Sequence, residues 1–116
     1  HMAFNGTKNF QKQALVSYLE SVGMKFGADV NATTGFDETV YFLQLPSDRD
    51  SILRRGFQVL EDWAHNISFD SLEIEKERGV ILEERRLRRN GNMRILEQQL
   101  PMLYKGSRYA ERMPIG

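Results

Sequence analysis

Between Gly23 and Pro46 the spacing of apolar residues changes period twice, and that change constrains the fold more than any other feature of the chain. Upstream, Phe10, Ala14, Leu15, Tyr18 and Leu19 recur at three- and four-residue intervals, the pattern of one amphipathic helix ending at Gly23, with Thr7 or Asn9 available as its N-cap. Phe26, Ala28, Val30 and Ala32 then alternate with Lys25, Gly27, Asp29 and Asn31. After "TTGFD" comes a denser apolar run, Val40 to Leu45, which Pro46 stops. The two runs read as an antiparallel hairpin, its first strand half exposed and its second buried on both faces.

Helical spacing resumes after the hairpin. Ser47 is placed to cap a helix with Asp50 three residues on, and Leu53, Phe57, Leu60 and Ala64 form a stripe flanked by Ile52, Val59, Trp63 and Ile67. Asp70, with Glu73 three residues on, launches a third helix predicted to reach Asn90-Gly91. A fourth starts at Asn92 and is bent or ended by Pro101. The fold class is therefore α+β: an antiparallel β-hairpin packed against several α-helices. Two strands alone are marginal, so the hairpin is expected to be part of a larger mixed sheet, and residues 1–116 part of a domain with strands lying downstream.

Composition excludes more than it identifies. The 16 Lys and Arg residues cancel the 16 Asp and Glu residues, so no net field directs the chain to nucleic acid or an anionic membrane. No apolar run is long enough to span a bilayer. With no cysteine, a transition metal would have to be held by carboxylates and by the two histidines, His1 and His65. His65, beside Asn66 at the end of a helix, reads as a surface residue. The "RRLRR" run at 85–89, set among glutamates, reads as a salt-bridged solvent face.

The stretch "EKERGVILEERR", residues 75–86, stands apart. Glu77 and Glu84 are seven residues apart, which brings them back to within about 20° of one helix face. Val80 and Ile81 lie between them on that face, and Ile74 and Leu87 continue it. A carboxylate drawn into an apolar face needs a partner, since burying it alone costs several kcal/mol. Ion pairing, for example between Glu84 and Arg88, meets that need and is the commoner arrangement. A bound metal ion meets it too.

Five segments, "HMAFNGTKNF", "GADVNATTGFDETVYFLQLP", "EDWAHNISFD", "EIEKERGVILEE" and "SRYAERMPIG", resemble the pitrilysin/insulinase family of zinc metallopeptidases, whose metal motif is H-x-x-E-H. The resemblance covers nearly the whole chain. It implies that the parent protein is a zinc endopeptidase hydrolysing peptides or proteins through a metal-activated water. In the family the second histidine of the motif precedes text like "MAFNGT", which puts His1 at that ligand position. The second glutamate of "ER-x-V-x-x-E-E" is the third ligand and falls on Glu84, while Glu77 falls on the acidic position that supports the site. The strand bearing "N-A-x-T" is an edge to which an extended peptide adds through its backbone, implicating Val30, Asn31, Ala32 and Thr33.

The chain departs from the family pattern at Arg85, where a bulky residue is common, and at "NATT", "NFQK" and "FDS" in place of "N-A-Y-T", "N-F-P-K" and "F-D-P". The first histidine and the general-base glutamate are expected upstream of residue 1, so no catalytic residue is assigned within the chain. Taken alone it is expected to be inactive and to hold zinc poorly. His-Met is also the remnant that cloning vectors leave, so His1 is either the native ligand or a scar. Two other readings stay open: a non-catalytic paired subunit of the same fold, and a free-standing helical interaction module. Uncovered apolar faces predict self-association or strand exchange. No compartment is encoded in these residues; a bacterial periplasm or cell envelope is compatible with them, any leader lying upstream.

Overall fold

The computed structural model describes residues 1–114. The elements in order are a 3-10 turn at Met2–Phe4, helix α1 (Ala14–Ser21), strands β1 (Val30–Thr34) and β2 (Thr39–Leu43), and helices α2 (Asp50–His65), α3 (Ser71–Arg88) and α4 (Gly91–Leu103). A second 3-10 turn follows at Arg108–Glu111. β1 and β2 form a two-stranded sheet, so the mixed α+β class expected from the period changes is the one observed. The chain divides into two compact units: His1–Ala32 with Tyr41–Glu77, and Thr33–Val40 with the chain from Arg78 on.

The first unit contains the apolar core. Ala3, Phe10, Leu15, Leu19, Met24, Val30, Val59 and Trp63 are buried together, with Phe4, Tyr41, Leu43 and Ile67 packed against them. Phe4 meets the Trp63 ring edge-on at 5.4 Å between centroids, and Tyr41 lies 5.5 Å from the same ring. The second unit is held by polar and aromatic contacts. Phe36, Tyr104 and Tyr109 pack ring against ring, and Asp37 accepts hydrogen bonds from the Tyr109 hydroxyl at 2.6 Å and from Arg112 at 3.1 Å. The hydrogen bond to Asp37 holds the Tyr109 phenol above its ordinary pKa.

Several local expectations are revised, each for a physical reason. The first helix starts at Ala14 rather than just after Thr7 or Asn9. The side chains of both candidate caps are engaged by a carboxylate more than fifty residues away, and Lys12 adopts a left-handed φ of 48° that interrupts any earlier helical turn. Strand β1 starts at Val30, because residues 25–30 form a turn. Asp29 donates its N–H to the Lys25 carbonyl and accepts the Lys25 N–H on its side chain, and Gly27 has φ +91°. Strand β2 is covered on one face only. Tyr41 and Leu43 are half-buried, whereas Val40 and Phe42 are 43% and 37% exposed.

Ser47 does not cap α2; Arg49 occupies the N-cap without a side-chain bond. The buried face of α2 is Ile52, Gly56, Val59, Asp62 and Trp63, so Phe57, expected in the stripe, is 70% exposed. A glycine and an aspartate on the inner face shifted the apparent apolar stripe away from its true centre. At Gly56 an added Cβ would fall on the Leu45 side chain, which would have to move to admit it. Asp70 caps α3 as expected, accepting from the N–H groups of Leu72 and Glu73. That helix stops at Arg88 because Asn90 caps α4 instead, accepting from the Met93 N–H. Pro101 sits in the last turn of α4, which continues through it to Leu103.

Candidate functional site

Glu77 and Glu84 occupy the least exposed side of α3, together with Glu73, Ile74 and Ile81. The side is half-buried: α3 has no fully buried residue, and Val80 and Leu87, expected on the apolar face, are 52% and 73% exposed. Both carboxylates nevertheless have partners. Glu77 accepts at both oxygens, from His1 Nδ1 at 2.5 Å on Oε1 and from Asn5 Nδ2 at 2.6 Å on Oε2. Glu84 pairs with Arg88 one turn on, at 2.5 Å. The ion pair foreseen from the i,i+4 spacing is thus present.

The His1–Glu77 contact has a chemical consequence. An ionised carboxylate only accepts hydrogen bonds, so the imidazole nitrogen facing it carries the proton. In a neutral His1 ring the other nitrogen, Nε2, then keeps its lone pair. A carboxylate on one ring nitrogen and a lone pair on the other is the arrangement by which proteins orient a metal-binding histidine. The Met2–Phe4 turn and the bond from Asn5 to the same carboxylate bring His1 to this position.

Zinc in a catalytic site takes three protein ligands and keeps one open position. Among the described residues no group of three or more His, Asp or Glu side chains could hold a metal ion. These residues therefore do not fit a complete zinc centre, and no reaction step is assigned to them. His65 lies at the exposed C-terminal end of α2, 3.8 Å from Glu61, as expected of a surface residue. The arginines of "RRLRR" are engaged with glutamates: Arg86 with Glu83, Arg88 with Glu84, and Arg85 and Arg89 with Glu97.

The strand residues expected to meet a peptide are all in β1. Val30 is buried in the core, Asn31 and Ala32 are half-buried and Thr33 is exposed. The Asn31 side chain accepts from the Ala32 N–H at 2.9 Å and donates to the Gly27 carbonyl at 3.2 Å. The Ala32 N–H is therefore satisfied locally rather than by β2, and a strand added at this edge would compete with Asn31 Oδ1 for it.

Sequence reasoning missed three residues that shape this region. Asp62 is fully buried and accepts four hydrogen bonds, from Thr7 Oγ1 at 2.6 Å, the Asn9 N–H at 3.0 Å, Asn9 Nδ2 at 2.8 Å and Asn66 Nδ2 at 3.1 Å. Burial pushes its carboxyl upward, but the bonds from Thr7, Asn9 and Asn66 outweigh that and hold it below the usual carboxylate range. Trp63 Nε1 donates to the Ala3 carbonyl at 3.0 Å. A carboxylate within the apolar stripe of α2 was the available signal for Asp62, the same signal that singled out Glu77. Nothing in the pattern marked Asn5.

With this geometry in place, the chain can be set beside known proteins. The profile of Insulinase (Peptidase family M16) matches residues 1–111. The chain is 42% identical over all 116 residues to a Haemophilus influenzae protein named "Probable zinc protease PqqL", of which it spans 12%. The crystal structure of the first half of the periplasmic protease PqqL from Escherichia coli matches all of this chain with a TM-score of 0.91 at 39% identity, over 25% of that structure. Over 84 residues, 72% of this chain and 16% of the relative, it is 39% identical to cytochrome b-c1 complex subunit 1, mitochondrial, of Bos taurus.

Proposed function

Because this chain belongs to the insulinase family of peptidases, family M16, we propose that it forms part of the catalytic domain of a zinc-dependent endopeptidase that cleaves peptide or protein substrates. Glu84 is the metal ligand contributed by α3, and His1, where native, is a second ligand. Glu77 supports the site by orienting the His1 ring. The observation that carries the reading is the double engagement of Glu77, by His1 Nδ1 and by Asn5 Nδ2. It supports a His1 ring with Nε2 as the donor, in a chain matched by the family profile over residues 1–111.

When bound, zinc would polarise a substrate carbonyl and lower the pKa of a bound water. The residues of this chain would orient one imidazole and offer one carboxylate. Val30–Thr33 on β1 would receive an extended peptide by backbone pairing, with Asn31 releasing the Ala32 N–H as the peptide docks. The periplasm is the proposed compartment, by analogy with the Escherichia coli protease.

Zinc titration of a longer protein containing this chain tests the assignment. Glu84→Gln is expected to weaken zinc binding by well over tenfold, and Glu77→Gln by about 10–100-fold, the usual effect of losing a group that orients a ligand. Unchanged affinity in Glu84→Gln would remove Glu84 from the site. A second reading, a non-catalytic paired subunit of the same fold, is favoured by the similarity to a cytochrome b-c1 complex subunit. It predicts no zinc uptake by the longer protein at all.

A further inference from the structure

We infer that Asp62 and Trp63 of α2 are positioning residues, which hold the N-terminal segment so that the His1 imidazole meets Glu77. The inference deepens the proposed role of His1 and rests on it for its consequence, but its geometry stands independently.

Residues 1–10 contain no helix or strand longer than the Met2–Phe4 turn, so local hydrogen bonding sets His1 relative to that turn but does not fix where the turn itself sits. What fixes it is the C-terminal end of α2 and the few residues after it. Trp63 donates its indole N–H to the Ala3 carbonyl, two residues from His1, and its ring packs edge-on against Phe4. Asp62, the preceding residue, gathers Thr7 and Asn9. Beyond the helix, the Asn66 carbonyl accepts from the Lys8 N–H at 2.9 Å and the Ser68 N–H donates to the Gly6 carbonyl at 3.1 Å, with Thr7 and Ile67 forming an isolated β-bridge.

The segment is thus fastened at Ala3 and again at residues 6–9. Between the two fastenings lies Asn5, which holds the second oxygen of Glu77. Of these two attachments to α2 only the one at Ala3 lies within two residues of His1, so the Trp63 indole is the closest control on where the ring sits. The Asp62 carboxylate is suited to the other attachment because an acceptor-only group can bind a hydroxyl, a backbone N–H and two amide donors together. No neutral side chain offers that many acceptor positions.

The test reads the His1 ring itself, without metal or activity. In the ¹⁵N-labelled full chain at about pH 8.5, roughly two units above the ordinary imidazole pKa, long-range ¹H–¹⁵N correlation distinguishes the two ring tautomers. His1 is expected to show the Nδ1–H form, and the exposed His65 ring an averaged pattern that serves as the internal reference. Trp63→Phe keeps an aromatic ring but removes the donor to Ala3, and is expected to shift His1 toward the His65 pattern. Asp62→Asn is expected to do the same wherever the chain stays folded by circular dichroism.

A His1 signature unchanged in folded Trp63→Phe would overturn the inference, whatever Asp62→Asn does. Glu77→Gln separates the two levels of the account. If it erases the Nδ1–H signature while Trp63→Phe does not, the ligand-orienting contact stands and the positioning role fails. If Glu77→Gln changes nothing, the contact fails and both fall.

Discussion

Asp62→Asn is the substitution whose effect the structure specifies most closely. The carboxylate is fully buried and accepts four hydrogen bonds, two on each oxygen: Thr7 Oγ1 and the Asn9 N–H on Oδ2, Asn9 Nδ2 and Asn66 Nδ2 on Oδ1. An asparagine of the same shape replaces one oxygen by an NH₂ group. With the NH₂ on the Oδ1 side it faces two donors, Asn9 Nδ2 and Asn66 Nδ2; on the Oδ2 side it faces one, the Asn9 N–H, because the Thr7 hydroxyl can turn to accept. A hydrogen bond to a charged group contributes about 1.5–3 kcal/mol net, so losing one or two destabilises the fold by about 1.5–6 kcal/mol. Against a typical domain stability of roughly 5–15 kcal/mol, that is a large share.

Equilibrium urea unfolding measures it, as a lowered midpoint at unchanged slope. Thr7→Val in both backgrounds adds the pairwise term. The valine should be costly beside the native carboxylate and about 1 kcal/mol cheaper in the Asp62→Asn background, where the hydroxyl meets a neutral amide instead of an ionised carboxylate. Asp62→Asn destabilising by less than about 1 kcal/mol, or additive behaviour in the cycle, would refute the view that this carboxylate anchors the N-terminal segment.

Other perturbations have effects of different size and sign. Asp62 has a folded pKa below its unfolded value, so its contribution is fully present above about pH 4 and is lost as the pH falls through the folded value; thermal melts from pH 6 downward should lose stability more steeply in the parent chain than in Asp62→Asn. Arg86→Ala breaks only an exposed pair with Glu83 and should leave the urea midpoint unchanged, a result that a clear fall in the midpoint would contradict. Phe57, Leu72 and Leu87 are 70–73% exposed, so the isolated chain should self-associate in sedimentation and Phe57→Lys with Leu72→Lys should shift it toward monomer; a sharp monomer mass in the parent chain counts against this. At the β1 edge, Asn31→Ala frees the Ala32 N–H and should alter KM for peptide in the longer protein, whereas an unchanged KM would separate that edge from substrate binding.

The elements whose apolar residues follow a simple period were legible in the sequence. The hairpin, the Asp70 cap and the acidic side of α3 were all found from spacing alone. What escaped was set by contacts between distant parts of the chain. Thr7 and Asn9 have the chemistry of helix caps, and only the approach of Asp62 diverts them. Phe57 looked inward because the true inner face of α2 includes Gly56 and Asp62, residues a hydrophobic pattern does not count. The second strand looked doubly buried because its composition is apolar, but only one face meets the core.

The candidate site divides in the same way. Glu77 and Glu84 stood out because carboxylates in an apolar stripe need partners, and both have them. The pairing of Glu84 with Arg88 was readable from i,i+4 spacing. That Glu77 would receive both His1 and Asn5 was not, since it depends on how residues 1–10 are held against α2.

The most direct trial of the zinc assignment is anomalous diffraction at the zinc edge from crystals of a longer protein that includes this chain. The account predicts one zinc peak bonded to a Glu84 carboxylate oxygen and to Nε2 of the residue at the His1 position, at about 2.0–2.2 Å, with Glu77 on the far nitrogen of that ring. A peak elsewhere, or a metal site in which Glu84 remains paired with Arg88 and makes no bond to the ion, would contradict it.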